Sequence, residues 1–568
     1  MEDVIRKLEG VTLGQALRKS AVEYAALPYI IGSEASISFA EFDRWVDRIA
    51  ESFLAMGVGH GDHLAIWLAN SPHWIGVFCA CARIGAVLVP INTRYKVDEA
   101  AYILERSDAK VLLMTRSLWN IDYYVMLNRI APDIAGQDPG ALSLAQLPWL
   151  KAVIAVEAEP APGLMAWDDF LQLAPVPGRL AAAESSVLDS DKLFICFTSG
   201  TTGKPKGAMH SHRSIKQGTR VGLALHAGAG DRMLGHMPFY HVAGTYMALV
   251  PALTLGASLV LMKEWNADRA LELIEQERVT IFGGIPTHFH DLLARPQLAM
   301  RDTSSLKSAW IGGSPVMKAT FEHYLRSLKL KKLLSTYGMT ENTISTTFNA
   351  WDDPIEVCCE NKAPRLGPSE VRIVDIETLQ DKRVGEDGEI WCRGETVMLG
   401  YYKDSEATRQ AITPDGWLRT GDIGRFDERG YLSITGRLKD MFKTGGTNAY
   451  PAEIEQHLAR HPAIAQSVVV GVPDPRLDEV GFAFVEVRQG QLLTAAEVIG
   501  HCKGQIADYK VPHYVQFASG FPRTSTGKIM RAELVRQARD DIAGGLIHKV
   551  GVSSAMIDRG CDQGVANS

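Results

Sequence analysis

The sequence predicts an α/β protein: a large N-terminal domain on doubled, mostly parallel α/β sheets, a small β subdomain, and a small α+β C-terminal domain. Three observations lead there. Apolar runs of strand length alternate with helix-period segments in two successive series, the pattern of βαβ units on parallel sheets. After Pro364 the texture changes to short strand candidates separated by Gly-Glu and Asp-Gly pairs. A chain of 568 residues is also too long for a single hydrophobic core.

The first series opens with a capping box, Ser38-Phe39-Ala40-Glu41. Phe42, Val46, Ile49 and Phe53 then fall on one helical face, and Gly57 closes that helix. A strand at 63–69, a helix at 72–84, a strand at 86–91, a helix at 97–106 and a strand at 110–114 follow. Residues 117–190 are less periodic and read as connections with short elements. Leu193-Phe194-Ile195-Cys196 reads as a buried strand.

The second series places strands at 232–237, 257–262, 280–284 and 306–311, and helices at 244–255, 268–278 and 316–328. Ligands of such sheets sit outside the carboxyl ends of the strands. Gly283-Gly284-Ile285-Pro286, Gly312-Gly313-Ser314-Pro315 and Tyr337-Gly338-Met339-Thr340-Glu341 all follow strand candidates, so they are expected to converge on one cleft. Beyond 364, strands are expected at 371–374, 388–392 and 430–434, with Gly421-Asp422 in a turn. Gly436-Arg437-Leu438-Lys439-Asp440 separates this region from the last domain. That domain should carry strands at 467–471, 482–487 and 514–518 and a helix at 495–506. The residues from 544 onward read as a frayed or disordered tail.

Apolar residues make up 46% and charged residues 22% of the chain, as in an ordinary globular protein. The net charge of -7 comes without a long basic run, which argues against nucleic acid. Eight cysteines, with Cys358 and Cys359 adjacent and Cys79 and Cys81 one residue apart, suit neither a zinc site nor a disulfide framework. Reduced thiols and a cytoplasmic location are expected. The charged start lacks a signal-peptide core, and no apolar run is long enough to span a bilayer.

The stretch with the strongest chemical signal is Phe197-Thr198-Ser199-Gly200-Thr201-Thr202-Gly203-Lys204-Pro205-Lys206-Gly207. Its glycines allow close backbone approach, and its hydroxyls and lysines suit an anion such as phosphate. Lys204 is followed by proline, so the usual P-loop pattern fails. Taken alone, a phosphate loop and a flexible surface loop are about equally good readings. The polar segment from His210 to Arg213 is expected to open a helix.

In order along the chain stand 197–207, 337–341, Thr420-Gly421-Asp422, 436–440 and Arg523-Thr524-Ser525-Thr526-Gly527-Lys528. Together they resemble the adenylate-forming superfamily, over residues 10 to 540. Lys443-Thr444-Gly445-Gly446-Thr447-Asn448 is similar to the acyl-CoA synthetase branch, nearest to medium-chain fatty acyl-CoA synthetases. The resemblance implies an ATP-dependent acid:CoA ligase using ATP, Mg²⁺ and coenzyme A. It also implies a large domain over 1–438, and a mobile domain over 439–543 that carries the catalytic lysine.

By the same resemblance, Thr198, Ser199, Gly200, Thr201, Thr202, Gly203, Lys204 and Lys206 cradle the β- and γ-phosphates. Glu341 is the magnesium ligand and Thr340 meets the α-phosphate. Tyr337 and Gly338 face the adenine, Gly312 and Ser314 complete the nucleotide site, and Asp422 and Arg437 hold the ribose. Lys528 is the catalytic lysine and Lys439 the hinge. His241 gates the carboxylate, with Gly283, Gly284, His288 and Gly313 lining the acyl pocket and leaving room for a bulky or long acid. Gly445 and Gly446 line the pantetheine tunnel, and Arg94 and Tyr509 meet the CoA nucleotide. Val511 stands where related aryl-CoA ligases place an arginine, which puts that phosphate contact in doubt.

Each of these residues also has an ordinary structural role: a core aromatic for Tyr337, turn chemistry for Asp422, a solvated acid for Glu341, a surface cation for Lys528 and Arg437, a helix-start histidine for His241. The expected acid is monocarboxylic, fatty, alicyclic or aromatic. A stand-alone enzyme loading a carrier protein and a nucleotide-binding pseudoenzyme are the alternatives, and a homodimer is compatible with the sequence.

Overall fold

The computed structural model describes residues 1–550 except 33–34, 199–203, 315, 360–361, 364–368 and 524–528, with backbone only at 362–363. It divides into two units. The larger comprises Met1–Arg372, Trp391–Thr420 and Arg429–Leu432; the smaller comprises Ile373–Ile390, Gly421–Glu428 and the chain from Ser433.

The larger unit holds two eight-stranded sheets. The first runs in space Thr347–Phe348, Lys332–Tyr337, Ser308–Gly312, Ile281–Gly284, Arg232–Gly235, Ser258–Leu261, Pro28–Ile31, Ser36–Ser38. Its six inner strands are parallel, and the two short outer strands are antiparallel to them. The second runs Gly400–Tyr401, Lys206–Ser211, Lys192–Thr198, Val87–Pro90, His63–Trp67, Ala109–Met114, Ala152–Ala155, Met165–Ala166. The doubled α/β architecture read from the sequence is therefore present.

Helix Pro72–Ile84 shows why the two sheets belong to one core. Ser71 caps it, Pro72 opens it and Gly85, at φ 71°, closes it. Every residue from Trp74 to Ile84 is buried, so the helix has no solvent face. One continuous apolar cluster includes its Trp74 and Phe78 together with Ile30 and Leu259 from the first sheet and Leu64 and Leu88 from the second. Arg83 on this helix is wholly buried and pairs with Asp43 and Asp47, so its charge is compensated. Helix Phe39–Ala55 has the expected capping box: Ser38 Oγ accepts from the Glu41 amide at 3.3 Å, and Glu41 accepts from the Ser38 amide at 2.9 Å.

Some elements depart from the sequence reading. Lys206–Ser211 is a strand pairing back on Lys192–Thr198, so His210 and Ser211 end a strand; the expected helix opens two residues later, as a 3-10 turn at His212–Ser214 that runs into the α-helix from Ile215. Gly421-Asp422 lies inside strand Leu418–Phe426 and not in a turn. Strands Pro28–Ile31 and Ala152–Ala155 and the edge strand Met165–Ala166 are too short for a periodic signal. The helix expected over 244–255 is composite, Val242–Gly244, a π segment Thr245–Leu249, and Val250–Leu255.

Strands Leu432–Arg437, Leu418–Phe426, Gly388–Arg393 and Glu370–Val374 follow one another in the small β sheet. In the C-terminal part, the long hairpin Ile464–Asp474 and Asp478–Val487 is flanked by Phe442–Thr444 and Tyr514–Phe517. Helices Pro451–Leu458, Ala495–Cys502 and Arg531–Ala543 accompany it. Residues 544–550, expected to fray, have defined partners: the Val550 amide donates to the His513 carbonyl at 3.0 Å. Seven cysteines are described, all free thiols and all buried. Among the described residues no helix is long and apolar enough to cross a membrane.

Burial pushes His210, His212 and His288 down to about 4, and His236 well below the usual range. In the unfolded chain a histidine titrates near about 6.5. Between those values the unfolded state binds protons that the folded state does not, so stability is full above that range and falls as pH drops through it. The melting temperature should fall between pH 7 and pH ~4.5, and His212→Gln should flatten that slope. Differential scanning calorimetry across this range checks it.

Candidate active site

Three neighbouring parallel strands of the first sheet carry glycine at their carboxyl ends. Gly284 lies opposite Ile311, and Gly312 opposite Thr336, so Gly284, Gly312-Gly313 and Tyr337-Gly338 stand side by side, as the sequence led us to expect. Gly313 has φ 86°, which favours glycine. At Gly338 a Cβ would collide with the Ile344 carbonyl, so only glycine lets the following loop fold back this tightly.

Gly283 and Gly284 are points of close approach. A Cβ on Gly283 would strike the Trp310 indole, and one on Gly284 would strike His288 Nδ1. Around them gather Trp265, 4.5 Å from the His288 ring between centroids, and His236, 5.0 Å from it and stacked on Phe282 at 5.1 Å. His288 Nδ1 accepts from the Ile285 amide at 3.3 Å. His236 is buried and its Nε2 has no partner among the described residues. His241 caps the composite helix, half-buried, with its ring 4.7 Å from that of Tyr240.

The loop after Tyr337 is held under strain. Thr340–Asn342 is one 3-10 turn, and the Asn342 side chain accepts from the Met339 amide at 2.9 Å. Thr343 and Ile344, both β-branched, then adopt φ 57° and 74°, in the left-handed region that such residues avoid. Buried hydrogen bonds fix the turn: Gln217 Nε2 donates to the Ser345 carbonyl at 2.7 Å, Thr336 and Ser345 hydroxyls meet at 2.6 Å, and Thr343 donates to the Thr396 carbonyl at 2.7 Å.

Thr198 sits opposite Lys206 at the mouth of the hairpin, and its hydroxyl donates to the Lys206 carbonyl at 3.4 Å. Ser199, Gly200, Thr201, Thr202 and Gly203 lie outside the described residues. Lys204 is exposed, with its ammonium 5.7 Å above the Tyr102 ring. Strand Gly400–Tyr401 pairs with the outer hairpin strand, Tyr401 opposite Ala208. From there the Tyr401 hydroxyl donates to Glu341 Oε1 at 2.8 Å, and the Lys206 ammonium lies 5.3 Å over its ring. The Met398 amide also donates to the Glu341 carbonyl at 2.8 Å. Glu341 is thus tied to the hairpin by one residue, Tyr401, which sequence reasoning did not single out because a two-residue strand leaves no periodic trace. Burial and the neighbouring carboxylate push the Tyr401 phenol far up, so it stays a donor.

Among the described residues no group of three or more His, Cys, Asp or Glu could hold a metal ion. Glu341 offers a single hard carboxylate. Magnesium keeps waters and phosphate oxygens in its shell, so one carboxylate beside a lysine-bearing hairpin fits a metal that arrives with a triphosphate. Replacing Tyr401 by phenylalanine removes a hydrogen bond to a charged group, worth ~1.5–3 kcal/mol. Tyr401→Phe is expected to raise the Mg²⁺ concentration needed for ATP binding by about ten-fold, read by Mn²⁺ titration with ATP in electron paramagnetic resonance.

In the smaller unit, Asp422 and Arg437 are brought together: Arg437 Nε is 3.0 Å from Asp422 Oδ1, the carboxylate buried and the guanidinium half exposed. Lys439 lies exposed on the 3-10 turn Leu438–Asp440. Gly445 and Gly446, at φ 57° and 82°, make the turn between Phe442–Thr444 and Thr447–Ala449. Tyr509 has the Lys510 ammonium 5.5 Å over its ring, and Val511 is buried in the apolar core, where it offers no phosphate contact. In the larger unit Arg94 is exposed and stacks 4.7 Å over Trp119. Lys528 lies outside the described residues.

A parallel sheet with a glycine edge, a hydroxyl- and lysine-rich hairpin on a second sheet and a carboxylate clamped beside that hairpin are the parts of an adenylate-forming enzyme. Residues 16–402 match the AMP-binding enzyme family and residues 453–528 match the AMP-binding enzyme C-terminal domain; the chain belongs to this family. Within it the chain is an AMP-forming acyl-CoA synthetase, an acid:CoA ligase. It is 34% identical to the mitochondrial medium-chain acyl-CoA ligase ACSF2 of Homo sapiens over 544 residues, 94% of this chain and 88% of the relative. It is 36% identical over 525 residues, 92% of this chain and 97% of the relative, to the 3-[(3aS,4S,7aS)-7a-methyl-1,5-dioxo-octahydro-1H-inden-4-yl]propanoyl:CoA ligase of Rhodococcus jostii (strain RHA1). The crystal structure of the anthranilate CoA ligase AuaEII with anthranoyl-AMP superposes with a TM-score of 0.80 at 25% identity, covering 94% of this chain and 98% of that one.

Proposed function

We propose that the chain activates a monocarboxylic acid with an uncharged apolar body, a medium- to long-chain fatty acid or a bulky alicyclic or aromatic acid. The observation that carries this reading is the aromatic cluster at the carboxyl edge: Trp265, Phe282 and Trp310 with His288 and His236, two histidines that burial keeps neutral. Such a wall favours an apolar chain and gives a second carboxylate no cation. The relatives named above act on acids of this kind.

The reaction takes two steps. A carboxylate oxygen attacks the α-phosphorus of ATP, the P–O bond to pyrophosphate breaks, and acyl-AMP remains. The CoA thiolate then attacks the acyl carbon, AMP leaves with its phosphate oxygen, and the thioester forms. Two anions meet in the first step, so positive charge and fixed geometry must come from the site. Thr198–Lys206 would bind the β- and γ-phosphates, Thr340 the α-phosphate and Tyr337 the adenine, with Gly338, Gly312 and Ser314 around them. Glu341 would hold magnesium, which neutralises the phosphate charge. Asp422 and Arg437 would orient the ribose, and His241 would gate the carboxylate beside Gly313. Lys528 would place its charge on the forming carboxylate–phosphate bridge.

For the second step the domain over 439–543 would turn about Lys439, withdraw Lys528 and present Gly445 and Gly446 to the pantetheine, with Arg94 and Tyr509 at the nucleotide end. Buried free thiols support a cytoplasmic setting. The test is carboxylate-dependent pyrophosphate–ATP exchange over acetate, octanoate, dodecanoate, benzoate, cyclohexanecarboxylate and a polycyclic acid. Exchange with an apolar acid, and acyl-CoA only on adding CoA, supports the reading. Exchange that never yields a thioester with CoA points to a carrier protein, and no exchange with any acid overturns it.

A further inference from the structure

A continuous set of contacts, running through Asp474 and Leu477, joins the last described residues to the turn that carries Gly445 and Gly446. Helix Arg531–Ala543 ends, Gly545 turns the chain at φ 68°, and Ile547 and Val550 pack on the apolar clusters of the smaller unit. This directs Lys549 onto Asp474, with which it forms an ion pair; the carboxylate side chain is only 3% exposed. The other oxygen of Asp474 accepts from the Arg476 and Leu477 amides at 2.9 and 3.0 Å and so shapes the 474–478 turn. That turn includes Asp478 at φ 70°, a strained value for a residue other than glycine. The Leu477 carbonyl then accepts from the Gly445 amide at 2.8 Å, and Asp478 pairs with Thr444. The Lys549 ammonium beside it holds the Asp474 carboxyl down to about 2, so the pair stays charged at neutral pH.

We propose that residues 544–550 brace the Gly445-Gly446 turn, with Lys549 as a positioning residue for thioester formation that acts through Asp474 and Leu477. This rests on the reading that the Gly445-Gly446 turn receives the pantetheine. A turn with two left-handed glycines has no side chain of its own to fix it, and the Gly445 amide ties it directly to the Leu477 carbonyl. If Lys549 is removed, a nearly buried carboxylate is left unpaired at the base of the 474–478 turn, and the anchor loosens.

Full-length Lys549→Ala, Lys549→Arg and Gly446→Leu are compared in the two half-reactions, with octanoyl-AMP or the adenylate of whichever acid exchanges fastest. Amide hydrogen exchange at Gly445 is followed in parallel. Lys549→Ala is expected to slow CoA-dependent consumption of acyl-AMP about ten-fold and to leave pyrophosphate–ATP exchange within about two-fold. The Gly445 amide should exchange at least ~ten-fold faster, and Lys549→Arg should restore both readouts. Unchanged Gly445 exchange, or equal loss of both half-reactions, overturns the brace. If Gly446→Leu leaves the thioester step intact, the reading of the turn fails instead, and hydrogen exchange at Gly445 still decides whether Lys549 holds it.

Discussion

Lys528→Ala should abolish nearly all carboxylate-dependent pyrophosphate–ATP exchange, a loss of about a thousand-fold, while ATP binding measured by calorimetry stays close to the parent value. The reasoning is electrostatic. The first half-reaction drives a carboxylate into a phosphate, and a lysine, a point charge on a four-carbon side-chain stem, can meet the bridging oxygens as their charge develops. Such a contact exists mainly in the transition state, so its loss lowers the rate more than it lowers ground-state affinity. Thioester formation from supplied acyl-AMP, which breaks no bond to pyrophosphate, should be affected far less. Equal loss in both half-reactions would assign Lys528 a structural role instead.

The second large effect is expected at Glu341. Glu341→Gln keeps an oxygen to accept from Tyr401 and removes the charge, so the loop around Gly338 should stay folded. Exchange activity should fall about a hundred- to a thousand-fold, since one charged element of a preorganised site is lost. Excess Mg²⁺ should restore part of the rate. The melting temperature separates this from a folding defect: Glu341 is only 8% exposed, and a merely structural carboxylate would show its loss there first. A rate that follows the melting temperature and ignores Mg²⁺ would remove the metal role.

Much of this was readable in the chain because the signals were long or chemically distinct. Helices Phe39–Ala55 and Pro72–Ile84 announced themselves by a capping box and by Pro and Gly at their ends. The glycine edges of three parallel strands were visible as motifs and do stand together. What the sequence hid was pairing between distant segments. Tyr401 reaches Glu341 from a strand of two residues, and Asp422 sits in a strand because Leu418–Phe426 continues through a glycine at φ 69°. At Gly283-Gly284 a glycine marks a close approach, and only the three-dimensional structure shows that Trp310 and His288 are what approaches there. The tail from 544 looked featureless because its anchors, Asp474 and His513, lie far back in the sequence.

Strand Pro28–Ile31 pairs with Ser258–Leu261, Ile30 lying opposite Leu259. During synthesis this early strand leaves the ribosome about 230 residues before its partner, a wait of roughly ten to fifty seconds at ordinary elongation rates. Until then its Tyr29 and Ile30, both fully buried in the finished protein, have no sheet to enter. The first sheet is therefore begun at Arg232–Gly235 and Ser258–Leu261, and the oldest strand waits for them while the strands of the other flank, from Ile281–Gly284 to Thr347–Phe348, are still to be made.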